Sequence, residues 1–209
     1  HAVLPEPADD LRERLPAVRE DGMRGAHGPV VPLTRKAMLA KMAKGAAAKD
    51  VKTGGRPPRD SLVTKTEVVL PSDANNLGTV FGGRVMEWID IAAAVSAGRH
   101  CRTTVVTASM DDLHFLAPIK KGMVVILQAQ VNYAGRTSVE VGVEVLSEDL
   151  LTGERTRCCH AYLTFVALDA RGKPTPAPPL LPETAEERRR FREAEERRQF
   201  RLQRRDRFR

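Results

Sequence analysis

The stretch "TSVEVGVEVLSEDL", residues 137–150, constrains the fold more than any other. Val139, Val141, Val143 and Val145 alternate with Glu140, Gly142 and Glu144. A period of two puts the valines on one face of a strand and the polar residues on the other. The valine face is expected to be buried and the glutamate face wet, as in an antiparallel sheet covered on one side. Four more segments read as strands: "SLVTKTEVVL", ended by Pro71; "TTVVTASMDDLHF"; "MVVILQAQVNY", turned by Ala134-Gly135-Arg136; and "RTRCCHAYLTFVALD". The last stops at the prolines of "ARGKPTPAPP". A helix falls between the first two strands, and short turns make the later strands antiparallel neighbours. One sheet and one helix bury both apolar faces only if the sheet curls around the helix, so the class is α+β.

The flanks differ in kind. Residues 61–172 form the domain. Residues 1–60 mix Pro, Gly, Ala and alternating charge and read as an extension. It holds a short helix in "LTRKAMLAKMAKGAAAKD", started by Thr34, and a linker in "KTGGRPPRD". Residues 173–209 read as a Pro-rich linker and a separate charged helix, with Thr184 and Glu187 as its capping box. Phe191 and Leu202 are too sparse for a coiled-coil seam. The net charge of +7 sits in these arms: +4 in residues 1–60 and +4 in residues 183–209, against −1 between them. The domain is thus no basic nucleic-acid platform. The arms fit either a solvated charged helix or contact with the acidic surface of a larger assembly.

No apolar run approaches the roughly 18–20 residues of a membrane span, and no apolar signal segment opens the chain. The first residue is His1, which fits processing of a longer precursor, removal of an organelle transit peptide included. The expected location is the mitochondrial matrix or another organelle, otherwise the cytoplasm. The three cysteines, Cys101, Cys158 and Cys159, show no metal-binding spacing and read as reduced thiols. Cys158 and Cys159 are expected on opposite faces of a strand.

The chemistry concentrates in "PSDANNLGTVFGGRVMEWIDIAAAVSAGRH", residues 71–100. The helix is expected to begin near Gly82-Gly83. Glycines there let a ligand approach the free N–H groups of a helix start, or simply let loop and sheet pack closely. Met86, Ile89, Ala93 and Ala97 fall on one stripe, and the alanine-rich second half makes the helix slim. Asp90 lies beside that stripe, where a carboxylate is costly unless hydrogen-bonded, exposed or useful. Asn75 stands in the preceding loop, as a turn residue or as a polar group for a site.

The runs "PSDANNLGTVFGGRVMEWID", "VVTASMDDLHFLAPIKKG", "VNYAGRTSVEVGVEV" and "AYLTFVALDARGK" resemble the hotdog-fold acyl-CoA thioesterases. The nearest likeness is to the cytosolic and brain-type acyl-CoA hydrolases and their single-domain bacterial relatives. It covers about residues 61–209, including the tail "PPLLPETAEERRRF". The resemblance implies an antiparallel sheet wrapped around a long helix, homodimers with a continuous sheet, and trimers of dimers. In tandem members one domain supplies an Asn from the "AN…G…GG" loop and the other an Asp from the helix. Asn75 and Asp90 fill both positions here, so a homodimer would carry two equivalent sites.

By the same resemblance, Asp90 acts as general base or as nucleophile, and Asn75 orients the water or polarises the carbonyl. The Gly82 and Gly83 amides hold the oxyanion. Arg136, Thr137 and Ser138 of the "GRTS" turn lie near the CoA moiety, with Arg136 the best phosphate partner. CoA is part of the substrate, and neither metal nor cofactor is called for. His114 and His160 do not follow the pattern of hotdog dehydratases and read as structural; Arg99 and His100 read as charges complementing the helix dipole. No "GxSxG" elbow is present. A second class of function is a hotdog subunit of a large ribonucleoprotein or organellar assembly, with little or no activity. The long extension fits that reading; the pairing of Asn75 with Asp90 fits an enzyme.

Overall fold

The computed structural model describes residues 54–206. The helix expected from Thr34 lies outside them. Strands β1 (Val63–Val68), β2 (Thr104–Phe115), β3 (Val124–Ala134), β4 (Ser138–Glu148) and β5 (Arg155–Leu168) form one sheet in the order β1-β3-β4-β5-β2. Every neighbouring pair is antiparallel. Helix α1 (Gly82–Cys101) carries the chain from β1 to β2, on the opposite edge of the sheet, and α2 (Ala185–Asp206) ends the chain.

Helix α1 fills one face of the sheet. Val85, Ile89, Ala92, Ala93 and Ala97 share a core with the four alternating valines of β4, with Leu127 and Val131 of β3, and with Leu163 and Phe165 of β5. Burying each large side chain stabilises the fold by about 1.5–3 kcal/mol. The alanines let the sheet close on the helix axis, so Ala93→Leu would overpack it at a cost of about 1–3 kcal/mol. Met86 is not in this stripe. It is 41% exposed, and the buried side of the helix begins one residue earlier, at Val85.

The glutamate face of the sheet is wet only in part: the Glu144 side chain stays exposed. Glu140 is 1% exposed, because α2 lies over it. The helix is capped as its sequence predicts. The Glu187 N–H donates to Thr184 Oγ1 at 3.1 Å, and the Glu187 carboxylate accepts the Thr184 N–H at 3.0 Å. It is charged nearly all round, so an apolar stripe cannot dock it. Arginines do so instead. Arg197 and Arg201 donate to the two carboxylate oxygens of Glu140 at 2.7 and 2.6 Å, and Arg201 reaches Asp111 at 3.2 Å. Arg197 also lies 3.6 Å above the Tyr162 ring, and Phe191 packs on Tyr133.

Cys158 and Cys159 are both fully buried. Val145 pairs with Cys159 but Leu146 pairs with Arg157, so Cys158 is the extra residue of a β-bulge and the period of two breaks there. The three thiols are free, and burial pushes Cys101 and Cys159 up to about 11.

The segment read as a linker is engaged from Arg56 onward. Its N–H donates to Pro179 O at 2.8 Å, and its carbonyl accepts the Leu181 N–H at 2.9 Å. The Arg56 guanidinium donates to the carbonyls of Arg99 and His100 at 3.2 and 2.9 Å, which satisfies orphan groups at the end of α1. His100 does not complement the dipole as a cation. It is buried, its Nε2–H donates to Pro178 O at 2.9 Å, and burial pushes its pKa down.

Candidate active site

Asp90 faces the free edge of the sheet. Its Oδ1 accepts a hydrogen bond from Thr107 Oγ1 at 2.8 Å. Thr107 stands on β2, whose only partner in the sheet is β5, so the pair lies at an open edge. The second carboxylate oxygen has no partner among the described residues. One oxygen is fixed and the other is offered outward.

The loop before α1 is a small hairpin, with Ala74 bridged to Val80. Asn75 Oδ1 accepts the Leu77 N–H at 2.9 Å, the Thr79 N–H at 3.3 Å and the Thr79 hydroxyl at 3.2 Å. Gly78, at φ 74°, closes the turn where a side chain would strain the backbone. With its oxygen so committed, Asn75 presents only its Nδ2 amide, a donor. The loop is tied down by Asp73, which is buried. Its carboxylate accepts the Leu70 N–H at 3.0 Å and Arg84 Nε–H at 2.9 Å, and its backbone carbonyl accepts the Phe81 N–H at 2.8 Å. Asp73 thereby locks the Asn75 loop to the start of α1.

Helix α1 starts at Gly82, as its sequence predicts. Phe81 at the N-cap supplies no side-chain cap, so the Gly82 and Gly83 N–H groups have no acceptor among the described residues. They are free for an anion or a developing oxyanion. A side chain at Gly83 would collide with the Phe81 ring. Asp90 lies seven helical positions beyond Gly83, about 10 Å along the axis. Within one chain, the donors and the acid are thus too far apart to act on one carbonyl.

Phe81, Met86, Ile91 and Val95 on the loop and α1, and Val106 and Phe115 on β2, are large apolar side chains left exposed around this edge. Together with an unpaired strand edge, they form a surface that a single copy leaves uncovered.

Arg136, Thr137 and Ser138 lie elsewhere, at the β3–β4 hairpin, and line a groove of about 900 Å³ beside the end of α2. His114 and His160 pair across β2 and β5, their rings stacked at 5.2 Å. Two residues of the site escape sequence reasoning. Thr107 is one threonine among several in a strand, and Asp73 looks like an ordinary turn acid. Only the fold shows what each touches.

The family model of the thioesterase superfamily matches residues 77–154, a span holding Gly82, Gly83, Asp90 and Thr107. A Bacillus subtilis protein described as an uncharacterized acyl-CoA thioester hydrolase, YkhA, is 50% identical over 129 residues, 62% of this chain and 75% of its own length. The cytosolic acyl coenzyme A thioester hydrolase of Rattus norvegicus is 38% identical over 128 residues, 60% of this chain; the match spans only 34% of that larger protein. Among solved structures, an apo-hexameric acyl-CoA thioesterase superimposes with a TM-score of 0.70 at 44% identity, covering 72% of this chain and 97% of its own. An acyl-CoA hydrolase from Staphylococcus aureus, solved with butyryl coenzyme A, coenzyme A and coenzyme A disulfide, gives 0.68 at 39% identity, covering 72% and 92%. Three alanine variants of that hydrolase have been solved, at an Asn, an Asp fifteen positions on and a Thr seventeen beyond that. Asn75, Asp90 and Thr107 stand at the same two spacings.

Proposed function

The chain belongs to the thioesterase superfamily, and from that membership we propose that it hydrolyses acyl-CoA to a free carboxylic acid and CoA at sites built by two copies of itself. The observation that carries this reading is the geometry of Asp90 and Thr107 at an open sheet edge, with free helix-start amides about 10 Å away along α1.

The free oxygen of Asp90 takes a proton from water as the water oxygen attacks the thioester carbonyl carbon. Thr107 holds the other oxygen and so fixes the carboxylate. The carbonyl oxygen becomes an oxyanion, stabilised by the Gly82 and Gly83 amides and by Asn75 Nδ2–H. The C–S bond then breaks, and the CoA thiolate leaves with the proton from Asp90. Every group in this scheme comes from the chain, the water and the substrate.

A two-fold partner brings its own Asp90–Thr107 pair to the first chain's loop, and symmetry makes two such sites. The apolar residues around the edge are what that partner would cover. The hexameric neighbour supports assembly of such dimers into a trimer of dimers. A purely structural role has less support: a scaffold has no use for a carboxylate, a threonine, an amide donor and bare helix-start amides held in this arrangement. The positive charge of the arms supports a contact with an acidic assembly, beyond the hydrolase itself. Among the described residues no helix is long and apolar enough to cross a membrane. The direct test is an assay of the purified protein on acyl-CoAs of several chain lengths, with Asp90→Asn as control. No hydrolysis above the level of that variant would overturn the reading.

A further inference from the structure

The groove beside the end of α2 has an unusual charge balance. Four guanidinium groups line it: Arg136 from the β3–β4 hairpin, and Arg198, Arg201 and Arg204 from α2. Among the described residues its carboxylates are Asp111 and Glu140, and Arg201 occupies both, with Arg197 adding a second cation to Glu140. Arg136, Arg198 and Arg204 have no carboxylate partner among the described residues. Elsewhere on α2, Arg189 and Arg190 are paired with Glu186, whereas Arg188 and Arg192 have no carboxylate partner among the described residues. Arg198 is held near the hairpin, its guanidinium carbon 5.8 Å from the Tyr133 ring centre. Three unneutralised cations converging on one concavity repel each other, and a multiply charged anion relieves that repulsion. Guanidinium is also the group best matched to phosphate oxygens.

The groove abuts the strand that carries Thr107. Its far wall is Ala108 to Asp111 of β2, the residues that follow Thr107 directly. From β2 to β4 is two strand spacings, about 10 Å. An elongated substrate could thus keep one end at the Asp90–Thr107 edge and lay the other among the arginines. We infer that α2 is part of the substrate site: Arg198 and Arg204, with Arg136, bind the phosphates of the nucleotide end of CoA. This rests on the thioesterase reading above. A free nucleotide carries the same phosphate chemistry, and the test separates the two sources.

The experiment compares the full chain with R198Q/R204Q on an acyl-CoA and on the same acyl group carried by pantetheine, which has no phosphates. Neither arginine is in an ion pair among the described residues, so their loss strands no carboxylate described as buried. The expected result is a KM for acyl-CoA raised about tenfold or more at nearly constant kcat, with no matching rise for the pantetheine thioester. Adenosine 3′,5′-bisphosphate should compete with acyl-CoA on the wild type and lose affinity for the variant. An unchanged KM for acyl-CoA would overturn the inference. So would bisphosphate binding that depends on these arginines without competing, since that assigns the groove to a free nucleotide. Failure of the wild type to hydrolyse either thioester would overturn the thioesterase reading instead, a distinct outcome.

Discussion

The Thr107 hydroxyl donates to Asp90 across 2.8 Å, joining the middle of the buried helix to the free edge strand. It fixes one carboxylate oxygen and leaves its twin for water. Asp90→Asn should therefore retain the fold and lower kcat by about a hundredfold or more, the scale of an acid–base group. Thr107→Ala should lower kcat by about tenfold, and Thr107→Ser should restore most of it, since the hydroxyl is what orients the acid. Thermal melting checks the fold in each case. Wild-type turnover by Asp90→Asn would remove Asp90 from the mechanism.

Sharing of the site between subunits can be read by mixing. Asn75→Ala and Asp90→Asn proteins are each expected to be inactive. Under conditions that exchange subunits, half the dimers become mixed and each carries one intact site, so up to about one quarter of wild-type sites return. No recovery, with exchange shown independently by a labelled subunit, would place the site within one chain.

Glu140 is a buried anion held by two arginines of α2. Removing both with R197A/R201A should destabilise the protein by about 3 kcal/mol or more, because the carboxylate is left uncompensated. Adding Glu140→Gln to that variant should recover part of the loss. Denaturant unfolding of the wild type, R197A/R201A, Glu140→Gln and the combined variant measures the coupling, and additive effects would show that the ion pairs do not hold the helix down.

Burial keeps the His100 pKa below the ordinary histidine value. Above about pH 6.5 the ring is neutral in both folded and unfolded chains, and its contribution is complete. As the pH falls from there through the folded pKa, the unfolded chain binds a proton that the folded one resists, and stability is lost. His100→Gln should flatten the fall in melting temperature as the pH drops below about 6.5. An unchanged slope would mean that other groups set it.

The N-terminal boundary is testable by truncation. A chain starting at Gly54 retains every described contact of Arg56 and should unfold cooperatively with its hydrolase activity intact. Arg56→Ala should cost about 1–2 kcal/mol, since the carbonyls ending α1 lose their donor. If the truncated protein loses a binding partner but not its activity, residues 1–53 carry that contact.

Much of this was legible in the sequence because period and turn chemistry are local. The valine alternation of β4, the glycine start of α1 and the Thr184–Glu187 cap all stand where the pattern puts them. The errors arose where a second layer intervened. Glu140 looks solvent-facing until α2, more than forty residues later, covers it. His100 looks like a helix-end cation until Pro178 and Arg56 close over it. The bulge at Cys158 undoes the facing of two cysteines, since parity along a strand is reset by one extra residue. Asn75 and Asp90 could be named from the sequence, but their partners could not. Thr107 and Asp73 matter through what they touch, and touching is decided by the fold.

The bridge between Arg56 and Leu180 has a topological consequence. The domain's entrance and exit run side by side, so the hotdog core could be circularly permuted by a short join there, with new ends at the exposed turn around Gly153. Because α2 follows Leu180, such a rearranged chain would part the Asp90–Thr107 edge from the arginine-bearing helix. The same adjacency suits duplication: a second core spliced in after Leu181 would start where the first one started. A two-core polypeptide is thus only a short splice away from this architecture.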